Sequence, residues 1–229
     1  TIEPENYSTL HGDRGSWAIR YWQHDEIELK KLLEKLQYEF GFISSVSPSG
    51  ELKYKWIHGT GTNNALRAED IVTTLTKKDV ASLKISTTPV NQIMTKAIIN
   101  TQKHPAKNTY LTETTAINAT PRATYNIKSK ENTSTINLDA LTLAPATSPA
   151  TDKQADFYSY YSQANGDVKK VVECEIINPQ KRYLLETGDV IKFDDMTVEP
   201  FADDWANYYI IVSLTRKPSK ISIKAREIG

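Results

Sequence analysis

One cysteine, two methionines, nine glycines and a net charge of zero set the first limits on this chain. Cys174 alone can form neither an intrachain disulfide nor a cysteine-based zinc site, so packing has to hold the fold together. The 28 Lys and Arg are matched by 28 Asp and Glu, which speaks against an extended nucleic-acid footprint, because phosphate binding needs a surplus of cations. The same balance argues against an anionic membrane surface as a partner. No apolar run approaches the roughly 20 residues of a membrane-spanning helix. Thr1 to Leu10 lacks a basic start followed by an apolar stretch, so no signal peptide is expected. What is present is a chain of 229 residues, 39% hydrophobic, long enough for one large domain or two small ones.

Reactive groups are as sparse as cysteine. The histidines at 11, 24, 58 and 104 are too far apart in sequence to form a HExxH or HxH pattern, and each reads as a surface or strand-end residue. Cys174 lies in the apolar segment Val171–Ile177, where a buried structural thiol is expected rather than a nucleophile. No GxSxG elbow accompanies a serine. Gly59-Thr60-Gly61 lacks the third glycine, the lysine and the capped helix of a phosphate cradle, and reads as a loop leaving a hairpin. Asp194-Asp195, Asp203-Asp204 and Glu199 lack the alternating spacing of a calcium loop and read as turn residues. Two carboxylates from distant positions could serve a glycosidase, but nothing in the sequence selects a pair. No catalytic, cofactor-binding or metal-binding residue is assigned, and no cofactor is expected. The N-x-S/T triplets at Asn6, Asn118 and Asn132 are what a threonine-rich chain produces by chance.

Periodicity gives the organisation. Trp17, Ile19 and Tyr21 alternate with Ala18, Arg20 and Trp22, which predicts an early strand. A helix is expected from about Glu26 to Phe40, with Asp25 as N-cap, Glu28 completing a capping box, and Leu29, Leu32, Leu33, Leu36 and Phe40 on one stripe. Gly41 stands where a left-handed C-terminal residue is needed. Phe42–Ser47, the turn Pro48-Ser49-Gly50 and the alternating Leu52, Tyr54 and Trp56 predict a hairpin. Residues 60–151 are rich in threonine and asparagine. They suggest a helical or extended piece over Asp70–Leu75, a weak capping box at Thr76/Asp79, and extended segments at Leu83–Ser86, Gln92–Thr101, Asn118–Ile127 and Thr135–Leu143. His104-Pro105 should end the second of these. Ala144–Ala150 reads as a linker or surface loop. In the last third, Phe157, Tyr160 and Tyr161 predict a short aromatic-faced helix over Asp156–Gln163. Strands follow at Val168–Ile177, Val190–Phe193, Tyr208–Leu214 and Ile221–Ile228, with Asn178-Pro179 ending the first and Thr187-Gly188-Asp189 forming a turn in which Asp189 accepts backbone N–H bonds. The fold class is α+β and β-rich: antiparallel barrel-like sheets with two or three short helices. Three segments are expected: a strand, helix and hairpin unit at 1–58, a Thr/Asn-rich β region at 59–150, and a short helix with an antiparallel meander at 151–229, which could also interleave as two barrels of one module.

The succession of these segments carries a resemblance. LKKLLEKLQYEFGFISSVSPSG (29–50) is a helix feeding a strand and a Gly turn, NQIMTKAIINTQKHPA (91–106) follows as a strand, KKVVECEIINPQKRYLLETGDVIKF (169–193) ends in a Leu-x-x-Gly-Asp-Val-Ile turn, and YYIIVSLTRKPSKISIKAREIG (208–229) closes the chain. This order resembles the baseplate-hub and tail-tip proteins of tailed bacteriophages. The resemblance implies a structural virion protein without enzymatic activity, found in the phage tail and assembled in the bacterial host cytoplasm. It also implies a ring of identical subunits, a homotrimer, joining the tail tube to distal tail, spike or fibre proteins, with no specific nucleic acid and no membrane as partner. A different reading of the Thr/Asn-rich middle and of Trp56 and Trp205 is a receptor- or carbohydrate-binding β module of a tail fibre or cell surface.

Overall fold

The structure is a computed structural model that describes residues 19–23, 25–46, 50–57, 70–127, 132–141, 157, 161–162, 164–194, 196 and 208–228. Among the described residues, strand accounts for 46%, three complete helices accompany the strands, and a curled half-barrel sheet is present. The α+β, β-rich expectation is met. Two compact units interleave along the chain: residues 1–65 with 91–167, and residues 66–90 with 168–229.

In the first unit the helix α1 spans Leu29–Phe40 and ends on Gly41, whose φ of 65° and ψ of 46° are the left-handed cap expected from the sequence. Its start is later than the capping-box spacing suggests. Glu28 is the N-cap, its backbone is extended, and no side-chain cap bond forms. Residues 25–31 are all exposed, so an upstream turn would have carried the cost of helix initiation with nothing to pack against. Phe42–Val46 (β1) and Leu52–Trp56 (β2) pair antiparallel from Phe42↔Trp56 to Val46↔Leu52. The helix grips its own hairpin through Gln37, whose Nε2 donates to Ser44 Oγ at 3.0 Å.

The same unit holds a three-stranded sheet ordered β6-β5-β7, made of Lys96–Lys103 (β5), Tyr110–Ile117 (β6) and Thr133–Asn137 (β7). β5 and β6 are antiparallel, whereas β5 and β7 run parallel. Asn118–Ile127, read as extended, instead contains the helix Ala119–Thr124 (α2), with Pro121 buried in its first turn, on the connection that carries the chain from β6 past β5 to β7. Buried positions alternate along β5, so Ala97 and Ile99 join Phe40, Met94, Ile136, Leu138, Ala140, Leu141 and Phe157 in one core. Of the expected early strand, Ile19 forms an isolated antiparallel bridge to Leu141 among the described residues, and Trp17 and Ala18 lie outside them. Phe157 and Tyr161 are helical and stack with ring centroids 5.9 Å apart; Tyr160 lies outside the described residues.

The second unit is a six-stranded sheet in the order β3-β9-β10-β11-β8-β4. Its strands are Ile71–Leu75 (β3), Val80–Thr87 (β4), Lys170–Ile176 (β8), Val190–Phe193 (β9), Tyr208–Arg216 (β10) and Ile221–Glu227 (β11). The expected C-terminal meander is there: β9, β10 and β11 pair antiparallel in turn, and β11 continues onto β8. β3 adds to β9 in parallel. Alternation places Val172, Cys174 and Ile176 of β8 and Ile221, Ile223 and Ala225 of β11 in one core with Phe193, Tyr209 and Ile211. Asn178-Pro179 does end β8, and it also begins a helix. Asn178 caps Pro179–Leu184 (α3) by accepting from Gln180 N at 3.0 Å, with proline at the first position.

Candidate functional site

The buried polar groups fall into separate clusters. In the first unit, Glu39 is the penultimate residue of α1 and is 1% exposed. Its carboxylate accepts three consecutive backbone N–H groups, from Asp139 at 3.0 Å, Ala140 at 2.8 Å and Leu141 at 2.8 Å. Burial pushes its pKa above the ordinary glutamate value, and the three amides and Lys35 only partly oppose that. Next to it, Asp139 binds the Lys35 ammonium, the Tyr110 hydroxyl and, at 3.0 Å, the Lys103 ammonium. Burial would raise Asp139, but the two lysines and the tyrosine outweigh it and hold the carboxyl low. Tyr110 is pushed well above the ordinary phenol range by burial and by its bond to Asp139.

The second unit has a cluster of its own. Asp79, 4% exposed, accepts from Thr76 N and Oγ1 at 2.9 Å each, from Asn178 Nδ2 at 2.6 Å and from Lys181 Nζ at 2.6 Å. Burial disfavours its charge, yet Lys181, Thr76 and Asn178 together hold its carboxyl far below the ordinary range. The Thr76/Asp79 spacing taken as a weak helix cap therefore closes the β3–β4 turn instead, since the same side-chain-to-backbone bond serves either. Asp189 works likewise: its Oδ2 accepts from Glu186 N at 2.6 Å beside Gly188, whose φ is 89°, as its turn position predicted.

These arrangements build structure. A general acid or base needs an oxygen free to face a reactant, and here Glu39 is taken up by backbone donors and Asp79 and Asp139 by donors from several elements. Cys174 is 3% exposed and its thiol is pushed up to about 12 by burial and the neighbouring Glu175, the inert setting expected for it. His104 closes the turn after β5, its Nδ1 accepting from Ala106 N and Lys107 N at 3.1 Å each. The Asn118 amide is turned inward and donates to Gly166 O at 3.0 Å. Among the described residues no group of three or more His, Cys, Asp or Glu could hold a metal ion. No helix among them is long and apolar enough to cross a membrane. His11, His24, His58, Gly59–Gly61, Asp195, Glu199, Asp203, Asp204, Trp17, Trp205 and the Trp56 side chain lie outside the described residues. Of the tryptophans singled out, Trp22 is half-buried, with the Arg20 guanidinium 5.0 Å from its ring centre.

Sequence reasoning missed Glu39 and Asp139. A signal existed for the first: Glu39 stands three residues after Leu36 and directly before Phe40, on the apolar stripe of α1.

No known family profile matches the chain, and no curated protein matches it. Solved structures do. A chain from the virion of a native gene transfer agent particle superposes with a TM-score of 0.53 at 12% identity, over 86% of this chain and 38% of that one. The 43 kDa tail protein of prophage MuSo2 from Shewanella oneidensis gives 0.49 at 10% identity, over 90% of this chain and 56% of its own. A tail protein from Neisseria meningitidis MC58 gives 0.47 at 10% identity, over 97% and 66%. The chain thus spans less than two thirds of the length of each. At the level of the fold it matches the gene transfer agent virion chain, and there the resemblance drawn from the segment order holds.

Proposed function

We propose that the chain is a structural component of a phage-type tail, a hub or tail-tip element that performs no catalysis. In this reading it forms a ring of identical subunits, a homotrimer, between the tail tube and the spike or fibre proteins of a virion assembled in the host cytoplasm. The observation that carries the proposal is the fold shared with a gene transfer agent virion chain over 86% of the sequence. Because one fold hosts many functions, two features of the chain itself add support. The buried carboxylates stabilise turns and helix ends, as above. The edge strands β3, β4, β6 and β7 each pair with only one other strand among the described residues, and such edges invite pairing with another subunit.

The test is assembly. The purified protein, measured by mass photometry and negative-stain imaging, is expected to form closed rings, and antibody against it should label the tail end of purified particles. A strictly monomeric protein that is absent from particles would overturn the reading.

A further inference from the structure

The second unit carries a positively charged pocket that none of the clusters above uses. The C-terminal half of α3, the end of β10, the Lys217–Lys220 turn and the start of β11 surround a cavity of about 150 Å³, lined by Arg182, Tyr183, Arg216, Lys217, Pro218 and Ile221. None of these residues is acidic. Both guanidiniums are fixed by backbone carbonyls. Arg216 donates Nη1 to Arg182 O at 3.0 Å and Nη2 to Leu185 O at 2.6 Å, and Arg182 donates Nη1 to Pro218 O at 3.4 Å. The turn is closed from both sides, by Lys217 N to Lys220 O at 2.9 Å and Lys220 N to Lys217 O at 3.3 Å.

Carbonyls orient a guanidinium but do not neutralise it. The flanking lysines are neutralised: Lys181 pairs with Asp79 at 2.6 Å and Lys220 with Glu175 at 2.5 Å. Arg182, Arg216 and Lys217 form no ion pair among the described residues. Two oriented guanidiniums therefore line one concave spot with most of their donors unspent, and the exposed Lys217, within electrostatic reach of Glu175, adds a third positive charge at its edge. The rim is apolar and bare: Tyr183 is 78% exposed and Leu184 59%, and the Arg182 guanidinium lies 6.0 Å from the Tyr183 ring centre. Arginine and tyrosine dominate the energetics of protein interfaces.

We propose that this pocket docks an acidic segment of a partner protein. A Glu or Asp carboxylate of the partner bonds to Arg182 and Lys217, and an adjoining apolar side chain covers Tyr183 and Leu184. A free inorganic anion would satisfy the cations and leave the rim uncovered, so the rim selects the peptide. The inference goes beyond the tail reading and does not depend on it.

The experiment is an amide NMR titration of the isotope-labelled full chain at low ionic strength, where screening is weak. The probes are the capped peptides Ac-Glu-Leu-Glu-Glu-NH2 and Ac-Gln-Leu-Gln-Gln-NH2, with inorganic phosphate as a third. The expected result is shifts confined to residues 179–185 and 215–221 with the Glu peptide, and at least tenfold weaker binding of the Gln peptide. Lys217→Glu should weaken the Glu peptide at least tenfold with the rest of the spectrum unchanged. Tyr183→Ala, a fully independent variant on an exposed side chain, should weaken it severalfold. No shifts, shifts elsewhere, or binding insensitive to both variants would overturn the proposal. So would inorganic phosphate binding as tightly as the Glu peptide, which would make this a small-anion site.

Discussion

Across 100 positions of sequence, the Asp139 amide donates to the Glu39 carboxylate at 3.0 Å. With the amides of Ala140 and Leu141, this bond ties the end of α1 to the backbone that follows β7. The link joins the helix-and-hairpin module of the first unit to its three-stranded sheet, and only the folded chain brings the two together.

Replacing Glu39 separates two contributions. Glu39→Ala leaves three amides without an acceptor, of which those of Ala140 and Leu141 are buried; each buried one costs about 1–3 kcal/mol, so urea denaturation should show a loss of about 2 kcal/mol or more. Glu39→Gln keeps one acceptor oxygen and removes the charge, so its loss should be the smaller. Burial raises the folded pKa of Glu39 above the ordinary value. The stability this group contributes is therefore full below the unfolded-state pKa of about 4.3 and fades as pH rises through the raised folded value. The gap between wild type and Glu39→Gln should narrow as pH rises from 4 to 7, and a gap that widens would contradict the assignment.

Asp79 has the opposite sign. Its carboxyl is held far below the ordinary range by Lys181, Thr76 and Asn178 despite burial. Its contribution is full above the unfolded pKa of about 3.9 and is lost as pH falls toward the depressed folded value. Asp79→Asn should cost about 2 kcal/mol at neutral pH, the scale of hydrogen bonds to a charged group. The difference in melting behaviour between the two proteins should shrink as pH drops from 5 to 2.

Much of the fold was readable because its signals are local. Gly41 announced its left-handed cap, Pro48–Gly50 announced a hairpin, and alternation in Val190–Phe193 and Ile221–Glu227 announced strands. What escaped was set by distant partners. Tyr110–Ile117 faces inward with Tyr110, Thr112, Thr114 and Ala116 and outward with Leu111, Glu113, Thr115 and Ile117, so no apolar alternation marks β6. The helix α2 forms on the connection from β6 to β7, in a stretch whose own residues mark neither helix nor strand. Asn178-Pro179 carries the same residues whether it ends a strand or caps a helix. The carboxylate clusters were the least legible, because Glu39 and Asp139, or Asp79 and Lys181, meet only through tertiary structure.

Two glycines make a matched pair. A Cβ at Gly166 would lie 2.5 Å from both Asn118 Nδ2 and Ser162 O, whereas one at Gly50 would meet nothing within 4 Å. Gly50 has a φ of 84°, so Gly50→Ala carries only the left-handed backbone penalty of about 1–2 kcal/mol. Gly166→Ala must move the backbone around Ser162 and break the Asn118 bond to Gly166 O. Its loss should reach about 3 kcal/mol, in the range of overpacked core sites. Thermal melts of the two variants give the comparison, and equal losses would refute the steric account.

Cys174 sits on the inward face of β8 between Val172 and Ile176, and it is 3% exposed. Its thiol is pushed up to about 12, first by burial and then by Glu175. At pH 8 almost none of the thiol is in the reactive thiolate form. Iodoacetamide should therefore leave the native protein unmodified over hours and alkylate it fully in denaturant. In intermediate urea the labelling rate should follow the population of unfolded chain, because reaction requires opening of the six-stranded sheet. Intact-mass measurements along a urea series read this directly. Fast labelling without denaturant would show that the thiol is reached by a local opening that leaves the sheet intact.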